Sequence, residues 1–309
     1  MEEPENGWGI LSYLYFMGNT IVVNYHYIRD ESTNGIHACS IDLFKKQVHF
    51  LKKNYTIVPL AELYRTAVEH KARPVCALTF DDGLMEHYDV AFKVLKENGV
   101  TGTFFVIGAP LQAQTVPVTH KLHLLLTHKS TPELVELFHS FFKRHYVISD
   151  TERINPKRRF DDVLTSNLKE ALIALPVTKK DAFIESVFTD IYKNESEISK
   201  KTFMSSDHLL EMHKNGMEIG SHTYSHQALD GRDYDEQEAD IKKGVKVIHA
   251  ITGKNVSTFS YPHGRHTPDT LEILKKMNFS VAVILGGRSV TSQDHRFSIP
   301  RYDTNDIKL

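Results

Sequence analysis

The stretch VCALTF, residues 75–80, offers almost nothing to water on either face. A strand of that kind must be covered on both sides, which parallel strands flanked by helices achieve. Similar short runs recur as TIVVNYHYI (20–28), TGTFFVIG (101–108), MEIGSH (217–222), STFSYP (257–262) and SVAVILGG (280–287). Between them lie stretches with helical spacing. SIDLFKKQVHFLKKNY (40–55) repeats Leu43, Phe44, Val48 and Leu51 on one face, with Ser40 placed to cap it. A second short helix is expected near PLAELYRTAVEH (59–70), and HYDVAFKVLKENG (87–99) reads as a helix closed by Gly99. SSDHLLEMHKNG (205–216), DEQEADIKKGVKVIHAITG (235–253) and TPDTLEILKKMN (267–278) continue the series. This alternation predicts an α/β chain with a parallel sheet and its helices outside.

The alternation stops between residues 110 and 204. There the text is amphipathic helix without a core strand, as in TPELVELFHSFFKRH (131–145) and VLTSNLKEALIALPVTKKDAFIESVFTDIYK (163–193). The chain is read as one domain over residues 1–309, with 110–204 as a helical insertion. Leu134, Leu137, Phe138 and Phe141 form an apolar stripe that needs a partner surface, which a barrel wall or a second subunit would supply. A homo-oligomer through this insertion is therefore an expectation.

A formal net charge of -2 leaves no basic excess for neutralising phosphates, so nucleic acid is not the expected partner. Two cysteines, Cys39 and Cys76, cannot build a disulfide framework or a zinc ribbon, and buried free thiols are the better reading. The opening MEEPENGWGILSYLYFMGNT is acidic at its start, and Asn19 interrupts the apolar run before a membrane-spanning length is reached. The expectation is a cytoplasmic protein with no membrane span.

Three polar motifs follow the apolar runs. GSHTYSH (220–226) carries His222 and His226, four apart, so that on a helix or tight turn both rings converge on one point. The pair alone also fits two surface imidazoles. VCALTF runs into Asp81-Asp82-Gly83. Adjacent carboxylates at the mouth of a buried strand are costly unless a positive charge sits there, although Asp82 could instead cap the next helix. The third motif is FSYPHG (259–264).

Taken together, LTFDDG, GSHTYSH and FSYPHG resemble the polysaccharide deacetylase family, carbohydrate esterase family four, over residues 20–108 and 205 to about 302. The resemblance implies a distorted (β/α) barrel of about seven parallel strands that removes N-acetyl, sometimes O-acetyl, groups from sugars with a divalent metal. Carried over by position, it implies Asp82, His222 and His226 as metal ligands, Asp81 as general base, and a backbone N–H near His263 as an oxyanion donor. One divalent metal is expected, zinc first. Neither cysteine falls in these motifs, so a soft-thiolate site is not expected, and the mixed nitrogen and oxygen donors also admit cobalt, nickel or iron. Thr79 and Ser221 flank the site and are expected to orient ligands.

The chain departs from the family pattern in three places. Ser260 stands where many members carry an arginine, and His263 where they carry an aromatic. Arg301, after the run RFSIP, is the candidate to orient Asp81 instead. The late Leu-x-His motif that supplies a general acid is absent, which leaves His26 and His263 as candidate proton donors. The leading function is removal of an acetyl or formyl group from an acylamino sugar, with nucleotide- or lipid-linked sugars as intracellular partners. Hydrolysis of a non-sugar linear or cyclic amide, and glycan binding without catalysis, stand as alternatives.

Overall fold

The computed structural model describes residues 18–31, 35–63, 65–66, 73–156, 158 and 160–307. The opening stretch up to residue 17, most of TAVEH, and positions 157 and 159 of the basic run NPKRRFDD fall outside the described residues. The described chain divides into two compact units. One holds the chain up to Arg29, Cys39–Gln112 and Thr202 onward, and the other holds Asp30–Ala38 with Ala113–Lys201.

The first unit begins with β1 (Thr20–Tyr25), α1 (Ile41–Asn54), β2 (Thr56–Ile57) and β3 (Val75–Phe80). The Ser40 hydroxyl caps α1 by accepting from the Leu43 N–H, and Phe44, Val48 and Leu51 are buried. A π-helical turn, His87–Phe92, then leads into α2 (Lys93–Glu97), which ends at Gly99 with φ 63°. Next come β4 (Thr103–Val106) and α3 (Gly108–Ala113). The series α4 (Val118–His128), α5 (Thr131–Phe141), α6 (Val163–Ala174), α7 (Val177–Ile191) and α8 (Glu195–Thr202) follows without a strand. The alternation resumes with α9 (Ser206–Lys214), β5 (Glu218–Ser221), α10 (Tyr234–Thr252), β6 (Thr258–Ser260), α11 (Pro268–Lys276), β7 (Val281–Leu285) and β8 (Ile299–Asp303).

The strands form a closed ring in the order β1-β8-β7-β6-β5-β4-β3, and β3 returns to pair with β1. Every pairing is parallel. The ring therefore has seven strands. β2, which the sequence pattern does not announce, only lies along the start of β3. Alternate side chains face opposite cores, as the two-residue repeat of a strand requires. Val22, Ala77, Phe105, Val283 and Ile299 fill the barrel interior. Ile21, Val23, Leu78, Phe104, Val106 and Phe259 face outward into a second core that also holds Phe44, Val48 and Leu51 of α1, Met212 of α9, Ile241 of α10 and Ile273 of α11.

That parity decides where the polar residues go. Asn24 is two residues beyond Val22, Thr79 two beyond Ala77, and Arg301 two beyond Ile299, so all three sit inside the ring, one layer above the apolar filling. Ser260 has the opposite parity to outward-facing Phe259 and joins them. Asp81 is two residues beyond Thr79 and completes the layer. A parallel barrel carries its chemistry at this C-terminal rim.

The helical unit has its own core. Leu125 and Leu126 of α4, Leu134 and Phe138 of α5, Leu168 and Leu172 of α6, and Phe183, Ile184 and Phe188 of α7 are buried. Of the stripe read from the sequence, Leu134 and Phe138 are covered, whereas Leu137 is 37% and Phe141 43% exposed. The Asp30–Ala38 segment belongs to this unit through Gly35, whose carbonyl accepts from Lys169 Nζ, and His37, whose Nε2 lies 3.1 Å from Asp161 Oδ1. Cys39 and Cys76 are buried free thiols. Among the described residues, no helix is long and apolar enough to cross a membrane.

Candidate functional site

Asp81 and Asp82 leave β3 in different directions. Asp81 keeps strand-like hydrogen bonding, its N–H donating to the Tyr25 carbonyl. Asp82 has a left-handed backbone, φ 83°, and Gly83 follows at φ 72°. An N-cap residue takes extended backbone, so Asp82 is not capping a helix. A side chain at Gly83 would also press on Val106, 3.1 Å away, which closes the turn to larger residues.

Asp81 is gripped by a fork. Arg301 Nη1 donates to Oδ1 at 2.8 Å and Nη2 to Oδ2 at 2.7 Å, and the Ser260 hydroxyl adds a 3.1 Å bond to Oδ2. Burial by itself would raise this carboxyl, but the Arg301 charge and its hydrogen bonds prevail, with lesser help from His222 and His26, and hold it at about 2. Asp81 is thus a carboxylate at any ordinary pH. The sequence reading set Arg301 after the last strand. It lies within β8, buried, because β8 extends through Asp303. Arg301 also donates to Asn24 Oδ1 at 2.7 Å and to Thr79 Oγ1 at 3.2 Å.

Asp82 faces two imidazoles. His222 Nε2 is 3.4 Å and His226 Nε2 3.2 Å from its Oδ1. The pair does not ride on a helix: the chain from His222 to His226 is a turn, in which Thr223 and His226 have φ of 63° and 61°. The turn is tied from both sides. Gly108 and Ala109 donate backbone N–H groups to the Thr223 and Tyr224 carbonyls. Asp240 of α10 accepts from the Ser225 N–H at 3.1 Å and its hydroxyl at 3.0 Å. The approach of α10 is possible because residue 244 is glycine, since a Cβ there would sit 2.7 Å from the Thr223 carbonyl.

The donor set of Asp82, His222 and His226 suits a divalent cation. His222 Nδ1 donates to the Ser260 carbonyl at 2.7 Å, which leaves Nε2 as the lone-pair nitrogen pointing at Asp82. One ligand atom from each residue lies within 4.8 Å of the others, and all three residues are buried. Burial would lower the His222 pKa, but the two carboxylates outweigh it and raise it, so the cluster is already one that attracts positive charge. Two nitrogens and one oxygen form the borderline set that zinc and its neighbours accept.

His26 and His263 stand on either side of this centre. The His26 Nε2 lies 3.8 Å from Asp81 Oδ2, and its side chain is 38% exposed. His263 is exposed, with φ 58° in the turn after β6, and its ring centroid is 4.9 Å from that of His226. Two expectations fail. Thr79 does not orient a ligand: its hydroxyl donates to the Val23 carbonyl and receives Arg301. Ser221 shares the outward parity of Ile219, so its buried hydroxyl points away from the site and has no hydrogen-bond partner among the described residues. The sequence reading also passed over Asn24 and the buried hydroxyl of Ser260. Asn24 could have been found as the polar residue of interior parity in an otherwise apolar run.

The sequence profile of the polysaccharide deacetylases matches residues 69–137 and 160–282, most of the chain. The chain belongs to the polysaccharide deacetylase family. The Bacillus subtilis (strain 168) protein YxkH, provisionally named a polysaccharide deacetylase, is 29% identical over 124 residues, a stretch covering 40% of this chain and 42% of YxkH. The fold recurs in the deacetylase PplD of Streptococcus pyogenes, solved in complex with acetate, with a TM-score of 0.59 and 18% identity over 92% of this chain and 91% of that one. It recurs again in IcaB from Ammonifex degensii, with a TM-score of 0.57 and 19% identity over 93% and 92% of the two chains. At such identities the likeness is one of fold. In this member of the polysaccharide deacetylase family the rim carries a serine at 260 and a guanidinium from β8.

Proposed function

We propose that this chain is a metal-dependent hydrolase that removes an acetyl or formyl group from the nitrogen of an acylamino sugar. The observation that carries the reading is the contact of two unlike acids: Asp81, held ionised by Arg301, next to Asp82, grouped with His222 and His226. Those three residues would hold the metal. When bound, it supplies Lewis acidity toward the acyl carbonyl and the attacking water.

The chain's own groups do the rest. Asp81 takes the proton of the attacking water, and Arg301 and Ser260 fix the carboxylate in place for it. A backbone N–H in the turn at His263 faces the developing oxyanion, which is the role the family resemblance assigns there. His26, half-open to solvent and 3.8 Å from Asp81, returns a proton to the leaving amine.

The test is acetate and formate release by the purified, zinc- or cobalt-loaded chain. Substrates are N-acetyl and N-formyl amino sugars, free and nucleotide-linked, alongside small cyclic amides, with metal content measured on the same preparation. Turnover of the sugars with one metal per chain supports the proposal. Turnover of cyclic amides alone overturns the substrate class, and glycan binding with no release overturns catalysis.

A further inference from the structure

Asn24 is fully buried on the interior face of β1, between Arg301 and His26. Its Oδ1 is 2.7 Å from Arg301 Nη1, and its Nδ2 is 3.4 Å from His26 Nδ1. A guanidinium can only donate, so the oxygen end of the amide must face Arg301. The amide NH2 then faces His26 and can itself only donate. His26 Nδ1 must therefore present its lone pair, and the ring proton resides on Nε2, the nitrogen beside Asp81.

The backbone under that ring is held as firmly. His87, fully buried at the start of the π-helical turn, lies with Nε2 2.7 Å from the His26 carbonyl. Burial pushes the His87 pKa down, so the neutral ring donates through Nε2–H. Its ring packs edge-on against Phe80, with centroids 5.6 Å apart. The preceding residue, Glu86, accepts from the Ile28 N–H at 3.3 Å and from Arg29 Nε and Nη2 at 3.0 and 2.8 Å. Two consecutive residues, a few positions after the aspartate pair, thus clamp the segment that carries His26. A π-helical turn interrupts a helix at some cost and recurs at functional sites.

We infer that Asn24 and His87 are positioning residues for His26: Asn24 dictates which ring nitrogen carries the proton, and His87 anchors the backbone from which the ring projects. The inference rests on the proposed function, in which His26 passes its Nε2 proton to the leaving nitrogen. Asp81, 3.8 Å away, hands the proton it took from the water back to that Nε2, so the ring ends as neutral as it began. Neither residue touches the substrate. An amide needs that proton, whereas 4-nitrophenyl acetate expels a stabilised phenolate and does not.

The experiment compares the metal-loaded wild type with Asn24→Leu, His87→Phe and His26→Ala on an N-acetylglucosamine oligomer and on 4-nitrophenyl acetate. Asn24→Leu and His87→Phe should lose roughly 10–100-fold in kcat on the amide, the scale of lost outer-layer support, with KM and metal content little changed. On the ester His87→Phe should stay within about threefold of wild type, because the proton donor is not used there. Asn24→Leu also strips an acceptor from Arg301, which holds the base, so its ester loss should be smaller than its amide loss rather than nil. Equal losses on both substrates, or none, overturn the inference. Nitrogen-15 NMR of wild-type His26 should show the Nε2–H tautomer, and the Nδ1–H tautomer overturns the inference whether or not any variant folds. Asn24→Asp replaces the donor with an acceptor and should move the proton to Nδ1, so an unchanged tautomer there also overturns it. A wild type that releases no acetate from the oligomer overturns the functional reading. Selective amide loss in His26→Ala that is absent from Asn24→Leu overturns this inference alone.

Discussion

Asp81 and Asp82 are chain neighbours with the same side chain and the same degree of burial, yet they occupy opposite electrostatic situations. Asp81 meets a cation that is part of the protein, a guanidinium bonded to both of its oxygens. Asp82 meets two imidazoles, whose charge can be taken up or lost. The difference teaches that one acid is held charged by the protein itself, which fits the proposed base, while the other is left open to a cation, which fits the proposed metal ligand. A buried carboxylate tolerates either arrangement only because its partner is held rigidly.

The comparison is broken most severely on the Asp82 side. His222→Ala removes one of the three proposed ligand atoms, so metal and hydrolysis should vanish together. Metal analysis of the purified variant checks it, and full occupancy would refute the ligand assignment. On the other side, Asp81→Asn leaves Asp82, His222 and His226 in place and removes the proposed base. Turnover should fall by about 10²–10⁴-fold while metal content holds. Near wild-type turnover would mean that another group takes the proton.

Arg301→Met strips the permanent cation and leaves a buried carboxylate uncompensated, which costs about 3–5 kcal/mol. Urea unfolding of the metal-free protein reads this loss. Arg301→Lys should recover part of it, since an ammonium restores charge but not the two-pronged geometry. A smaller effect belongs to the histidine turn. Asp240→Asn weakens the hold on Ser225, and metal affinity should fall roughly 10–100-fold, as measured by competition with a chelator. The smallest concerns Ser221, whose hydroxyl points away from the site with no hydrogen-bond partner among the described residues. Ser221→Ala should leave metal affinity and turnover as they are, and a loss in either would restore the orienting role expected from the sequence.

Most of the Asp82 side was legible in advance because its parts are local. Asp82 lies at the end of one strand, and His222 and His226 share one turn of five residues, so short motifs carry them. The pair's spacing alone also fits surface imidazoles, and it took the family resemblance to join the three. The Asp81 side was legible only in outline. Arg301 was a candidate because a guanidinium was missing at Ser260, but its place inside β8, and its second bond to Asn24, could not be read from either segment. Those two residues are 277 positions apart and meet only because β8 pairs with β1.

The sequence by itself determined the strand–helix alternation, the gap in it after α3, and which side chains of each strand share a face, because hydrophobic period is a property of a few consecutive residues. It also determined the donor types that a metal would meet. Only the tertiary structure decided which strand ends face one another across the ring. Closure and register are cooperative properties of all seven strands, and they alone bring Asn24, Thr79, Asp81, Ser260 and Arg301 into one buried polar layer. The same closure turned Ser221 outward, a fate set by one step of parity on β5 rather than by its place beside a histidine.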